Sequence, residues 1–202
     1  MKKTFLTVFI LVIFTSIAIA NQDTLYPTDD ADVWQDTPGT NRGSEQNFQV
    51  GCISSGYWRN SLIKFDLSPY SGATINNATI RLMVFTSWGD FPTDEINISR
   101  NNADWDELTV TWNNKPGFAE YVPITAPSIL FEWWEIDVTG WVQDIVDGTD
   151  PNYGFQIYQD DTDYAGFSMR TKEGTVDPEL VLEYVPSSLE STTFGRIKSL
   201  FN

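Results

Sequence analysis

Apolar residues recur at every second position through most of this chain, the period of a strand with one buried face, and only one stretch changes to a helical period. Asp32-Val33-Trp34-Gln35 predicts a first strand, closed by a turn-rich run from Thr37 to Ser44. Phe48 to Gly51 and Ser61 to Leu67 predict the next two. The longest alternation runs from Thr74 to Phe85. There Ile75, Ala78, Ile80, Leu82 and Val84 share one register only if an extra residue falls near Asn76-Asn77. Ile96 with Ile98, Val110 with Trp112, and Trp134 with Ile136 mark three more strands. Tyr153 to Gln159, Gly166 to Thr171 and Leu180 to Val185 complete the set. In between, Thr139 as N-cap, an apolar face of Trp141, Val142, Ile145 and Val146, and Gly148 as stop predict one short helix. Short strands divided by Pro and Gly turns predict an all-β fold, an antiparallel β-sandwich of the jelly-roll type with that single helix. Its core is expected to hold Phe65, Leu67, Ile80, Leu82, Trp112, Ile136, Phe155 and Leu182.

The two ends depart from the pattern. Lys2 and Lys3 precede an apolar run from Phe5 to Ile17, and Ala18-Ile19-Ala20 offers a small-residue cleavage site. Residues 1–20 therefore read as a secretory signal peptide, shorter in its apolar part than a bilayer span. This predicts a secreted protein, extracellular or at the cell surface, whose folded domain runs over residues 24–185. Residues 186–202 read as a linker and short tail, in which Phe194, Ile197, Leu200 and Phe201 share one helical face beside Arg196 and Lys198. Such a tail suits docking to a surface or export component.

Composition narrows the chemistry. Lys and Arg number 12 against 28 Asp and Glu, a formal charge of −16. Clustered cations for phosphate are missing, so nucleic acid is excluded as a partner. The chain contains no histidine, which removes Ser-His-Asp and Cys-His catalysis and imidazole zinc sites. Cys52 is the single cysteine, so stability comes from a core and not from an intrachain disulfide.

The few cations stand out on this acidic background. Lys64, Arg81 and Arg170 lie between apolar neighbours on predicted strands, facing away from the core, with Lys172 following Arg170 on the same face. If their strands share a sheet they form a cationic patch suited to uronate or sulfate groups. The competing arrangement is cross-strand pairing with Glu and Asp. Of the eight tryptophans, Trp105, Trp112 and Trp141 sit in patterned segments and read as core. Trp58, Trp88, Trp133 and Trp134 lie beside turns or in unpatterned runs, where an aromatic serves equally as a sugar platform or as loop packing.

Seven segments occur in an order that resembles a known family. They are residues 32–44, 62–68, 73–82, 105–114, 136–143, 152–155 and 180–184. Together they resemble the DNRLRE-type domain, related to the disaggregatase repeat and classed as carbohydrate-binding module family 96. The resemblance implies a secreted, non-catalytic β-sandwich that binds a polysaccharide, possibly an anionic one. The ligand-binding candidates are then Lys64, Arg81, Arg170, Lys172, Trp58 and Trp134. The resemblance to jelly-roll modules also makes a structural calcium possible, with the acids of Asp29-Asp30-Ala31-Asp32, Asp147 to Asp150 and Asp160 to Asp163 as ligand sources. A structural or adhesive cell-surface subunit is the alternative reading. An enzyme would need two carboxylates roughly 5–10 Å apart across a glycosidic bond.

Overall fold

The computed structural model describes residues 20–54, 57–89, 96–160 and 164–187. Nearly all of the expected signal segment, the tail from residue 188 onward and the acids Asp161 and Asp163 lie outside the described residues.

Eleven strands and one helix form in chain order: β1 (Asn21–Leu25), β2 (Asp29–Trp34), β3 (Asn47–Ser54), β4 (Tyr57–Lys64), β5 (Thr74–Gly89), β6 (Ile96–Asn101), β7 (Phe118–Ile124), β8 (Glu132–Asp137), α1 (Thr139–Val146), β9 (Phe155–Gln159), β10 (Ala165–Arg170) and β11 (Glu179–Val185). The ladder runs β1-β11-β5-β10-β3-β4-β9-β6-β7, with β8 added to β5 and β2 to β4. The pairings are antiparallel throughout.

Strand β5 curls this sheet over itself. Its first part pairs with β11 on one side and β8 on the other, while its last part, from Val84 to Gly89, pairs with β10. Side chains of β5, β8 and β11, such as Ile80, Leu82, Ile136 and Leu182, then fall into one buried cluster with Ile63, Ile98, Phe155 and Ile157 from β4, β6 and β9. Two layers facing one core make the expected all-β sandwich. The extra residue expected near Asn76 is present. The register steps from Glu183↔Asn77 to Tyr184↔Ile75 and leaves Asn76 without a partner. Helix α1 closes one end of the core through Val142 and Val146. Its N-cap is Val138 and not Thr139, whose hydroxyl instead donates to Asp137 (2.6 Å) and accepts from the Ala78 N–H (2.9 Å).

The strand expected at Val110 and Trp112 does not form. Asp106 and Asn114 satisfy the backbone locally: the Leu108 N–H donates to Asp106 Oδ1 (3.0 Å) and the Thr111 N–H to Asn114 Oδ1 (2.6 Å). Short polar side chains here compete with a ladder and win. The resulting turns cap the outer face of β2 and β4. Trp105 and Val110 bury Ala31, Val33 and Leu62 in a second cluster, with Trp112 partly buried at its rim and not in the main core. Asn41 Nδ2 holds the cap by donating to the carbonyls of Glu107 (2.7 Å) and Val110 (2.8 Å). Strands β1 and β7 escape the alternation pattern because they are sheet edges, exposed along almost their whole length.

Candidate functional site

On β3 and β10 the alternation is strict. Phe48, Val50, Phe167 and Met169 enter the main core, so Asn47, Gln49 and Gly51, and with them Gly166, Ser168 and Arg170, face outward. The register places Arg170 opposite Asn47, Ser168 opposite Gln49, and Gly166 opposite Gly51. Gly51 in turn pairs with Arg59 of β4, and Arg59 with Trp34 of β2. Arg59 and Trp34 share the side of β4 and β2 that carries Ile63 and the buried Asp32 and Ser61, and both are half-buried. This row of polar, cationic and aromatic side chains thus runs from the open face of β10 and β3 to the margin of the core at β4 and β2.

The contacts within that row are tight. The Arg170 guanidinium lies 3.9 Å from the Phe85 ring centroid and donates to Asn47 Oδ1 at 2.6 Å. Phe85 is available to it because the register skips between Ser168 and Met169, leaving Phe85 as an unpaired bulge residue on β5. Arg59 donates to Gln49 Oε1 and stands 3.6 Å from the Trp34 centroid, with Arg42 at 3.4 Å from the same ring. Two guanidiniums this close to one centroid must take opposite faces of the indole, since on one face they would overlap. Trp88 lies across Gly166, where a Cβ would overlap its ring, and its Nε1 donates to the Cys52 carbonyl at 3.2 Å. The glycine is needed here because the indole occupies its side-chain space.

Beneath the row, Asp32 is buried and accepts from Trp34 Nε1. Burial pushes its pKa up to about 7, against the pull of Trp34, the Gln49 N–H, Arg59 and Arg42. Burial likewise lowers the pKa of Arg59. Among the described residues neither Arg59 nor Arg170 has a carboxylate at ion-pair distance, while Arg42 meets Glu45 at 3.5 Å. Guanidiniums held by amides and aromatic faces keep terminal N–H donors for an incoming anion, although Arg59 Nε and Arg42 Nε are buried. With both faces of Trp34 covered, it is the Trp88 indole that offers surface to a sugar ring.

Of the six residues expected to bind ligand, Arg170 stands in this row. Lys64 instead meets Asp104 (3.0 Å) and Asp29 (3.7 Å), and its ammonium also donates to the Trp105 carbonyl. Arg81 pairs with Glu179 (2.6 Å) and Glu135 (3.2 Å) over the Trp133 ring. Lys172 pairs with Glu107 (2.7 Å). Cross-strand and loop acids therefore hold three of the four cations, and the expected common patch does not assemble. Trp134 is 8% exposed, packed edge-on against Phe167 at 5.2 Å with Nε1 bonded to the Thr125 carbonyl, so it is a core residue and not a platform. Trp58 is half-buried, one residue out of register with Arg59 and so on the other side of β4. Sequence reading missed Arg59, Arg42, Trp34, Asn47 and Gln49, although Phe48-Gln49-Val50-Gly51 already signals that Gln49 faces outward. A groove of about 380 Å³ beside Trp133 is rimmed by Glu132, Glu135 and Asp137, which suits an anion poorly.

Of the acids expected to supply calcium ligands, Asp30 alone stands, among the described residues, in a group that could hold a metal. Its companions Glu107 and Glu173 are not among the expected acids, and one carboxylate oxygen of each lies within 4.8 Å of the others. Asp30 Oδ1 and Glu173 Oε2 are buried there without hydrogen-bond partners. The donor set is all hard oxygen, with the Asp30 pKa pushed up to about 8 by burial, and a divalent ion there would tie three chain segments together. Lys172 already stands beside it. Burial works against its charge, yet Glu107, Glu173 and Asp30 outweigh that and hold its pKa above the usual lysine value. No helix among the described residues is long and apolar enough to cross a membrane.

The model of carbohydrate-binding module family 96 matches residues 21–184, from the first residue of β1 to the penultimate residue of β11. No curated protein matches the chain.

Proposed function

The chain belongs to carbohydrate-binding module family 96, and we propose that the row from Arg170 through Asn47, Gln49 and Arg59 to Trp34 is where it holds an acidic polysaccharide without cleaving it. One observation carries this reading. On a molecule of net charge −16, Arg59 and Arg170 are oriented by amide oxygens and aromatic rings instead of carboxylates. A guanidinium so oriented has lost its rotamer freedom before the ligand arrives, and its remaining donors match the two oxygens of a carboxylate or sulfate. Trp88 lying flat beside the row supplies apolar surface to the ring between two acidic groups. Of the carboxyl groups near the row, Asp32 is buried beneath Trp34 and out of reach of a glycosidic oxygen, while exposed Glu45 pairs with Arg42 and exposed Asp36 acts on Arg59. A family that is typically non-catalytic supports binding without hydrolysis.

The basic and apolar start of residues 1–20 supports export, and the apolar, basic tail beyond residue 186 supports attachment to a surface or export component. Deleting residues 187–202 should then leave the fold intact and shift the protein from cells to medium. An unchanged partition removes that role from the tail.

Affinity electrophoresis tests the main reading. Gels containing an acidic polysaccharide should retard the protein, neutral gels should not, and added salt should weaken the retardation. Retardation by neutral glycans alone would move the site to Trp58 and Trp133. No retardation on any glycan would favour the structural or adhesive surface subunit.

A further inference from the structure

Asp30 of β2, Glu107 of the cap and Glu173 of the loop between β10 and β11 converge from three distant parts of the chain. The Lys172 ammonium stands beside two of them, and its backbone N–H meets the third. Its Nζ lies 2.7 Å from the Glu107 carboxylate, 3.9 Å from Glu173 and 2.8 Å from the Thr28 carbonyl oxygen. Its backbone N–H donates to Asp30 Oδ2 at 2.8 Å, so the side chain is anchored at its root beside the triad. The ammonium is at ion-pair distance from two carboxylates, Glu107 and Glu173, and not from Asp30. Two acceptors, Asp30 Oδ1 and Glu173 Oε2, stay buried and unpartnered, and Asp30 itself is 1% exposed.

We propose that this triad is a divalent-cation site kept closed by the chain's own Lys172, so that the native protein needs no metal and loss of the ammonium opens the site to calcium.

The chemistry of the pocket supports both halves. Three carboxylates and the Thr28 carbonyl are hard oxygen donors on four different residues, a set calcium accepts with waters completing its shell. The unpartnered oxygens show that the pocket accommodates more positive charge than one ammonium supplies. Lys172 nonetheless holds the advantage, because it is tethered. An ion from solution must break its bonds to Glu107 and Thr28 and shed water, whereas the ammonium is always at hand. Without it, Glu107 and Glu173 would be left close together beside buried Asp30 with no cation, and the cap, β2 and the loop after β10 would lose their common anchor. That loop begins one residue after Arg170, so the closed triad also fixes where the glycan row ends.

Thermal melting of the whole protein in EDTA and in ~5 mM CaCl₂ tests this, with the ligand term expected from mass action. The wild-type midpoint should agree in the two buffers to within about 1 °C, and calorimetric titration with CaCl₂ should show no binding. Lys172→Met should melt lower in EDTA and recover by about 5 °C or more with calcium. Adding Glu173→Gln to Lys172→Met should abolish that recovery. If Lys172→Met does not fold in EDTA, its refolding yield with and without CaCl₂ gives the same reading. A wild-type midpoint that rises with calcium, or falls with EDTA, overturns the proposal by showing a resident metal. A Lys172→Met protein indifferent to calcium overturns it by showing that the triad is no cation site.

Discussion

Strand β5 supports two arginine–aromatic contacts whose guanidiniums have polar partners of different charge. Near its middle, Arg81 lies 4.6 Å from the Trp133 ring and is gripped by Glu135 and Glu179 on the two flanking strands. A few residues further on, Phe85 receives Arg170 at 3.9 Å, and the partner of that guanidinium is the amide of Asn47. In one contact β5 supplies the cation and β8 an indole, in the other β5 supplies a phenyl ring and β10 the cation, and both set a guanidinium against an aromatic ring on the same sheet. The cross-strand neighbour differs, and it decides whether the charge is spent inside the molecule or left for a ligand. A partly exposed ion pair adds little to stability, on the order of 0–1 kcal/mol. Its larger effect is to cancel the field an anion would follow.

The most severe way to break the comparison is to remove both free guanidiniums. Arg59→Ala with Arg170→Ala should weaken retention on an acidic polysaccharide by roughly a hundred-fold or more, since each charge-assisted hydrogen bond is worth about 1.5–3 kcal/mol and at least two are lost. Arg81→Ala should leave retention unchanged. A comparable loss in both proteins would mean that the carboxylate partners do not matter. Trp88→Ala should cost several-fold, in line with about 0.5–1.5 kcal/mol for an aromatic contact, and without changing the salt dependence. A steeper or shallower salt response in that variant would show that the indole acts through Arg59, 6.0 Å away, and not on the sugar. Asn47→Asp is a subtler change, giving Arg170 the kind of partner that Arg81 has. A two- to five-fold loss is expected, about 0.5–1 kcal/mol. Unaltered binding in this variant would remove the amide from the argument.

How much of this was legible in the sequence depends on distance along the chain. The inward residues of β5 and the outward turn of Gln49 follow from period two alone, which is local. The pairing of Arg170 with Asn47 spans 123 residues and exists only once β10 has found β3. Arg59 was hidden for a related reason: β4 begins four residues before the apolar run at Ser61 that announces it. Thr109-Val110-Thr111-Trp112 was misread in the opposite direction. Its alternation is genuine, but Asp106 and Asn114 offer its backbone nearer partners than any strand does. Trp134 was ambiguous because it follows another tryptophan, and only the β8–β5 register, with Trp134 opposite Leu82, turns it inward.

The smallest expected effect is the most discriminating. Glu135→Gln with Glu179→Gln would leave Arg81 on Trp133 with amide partners, reproducing around β5 the arrangement that Arg170 has. If cross-strand chemistry alone decides availability, this double variant should bind an acidic polysaccharide up to about two-fold better than wild type, the gain of one weak, partly exposed contact. Removing two negative charges also raises long-range attraction for any anion, so the gain needs a matched comparison. Asp177→Asn with Glu183→Gln makes the same change in net charge at two exposed positions that, among the described residues, pair with no cation. An improvement in the Glu135 and Glu179 variant above that control, at matched ionic strength, assigns the effect to Arg81. Equal behaviour of the two would show that freeing a guanidinium is not enough, and that Arg170 owes its role to its place in the row beside Asn47, Gln49 and Arg59.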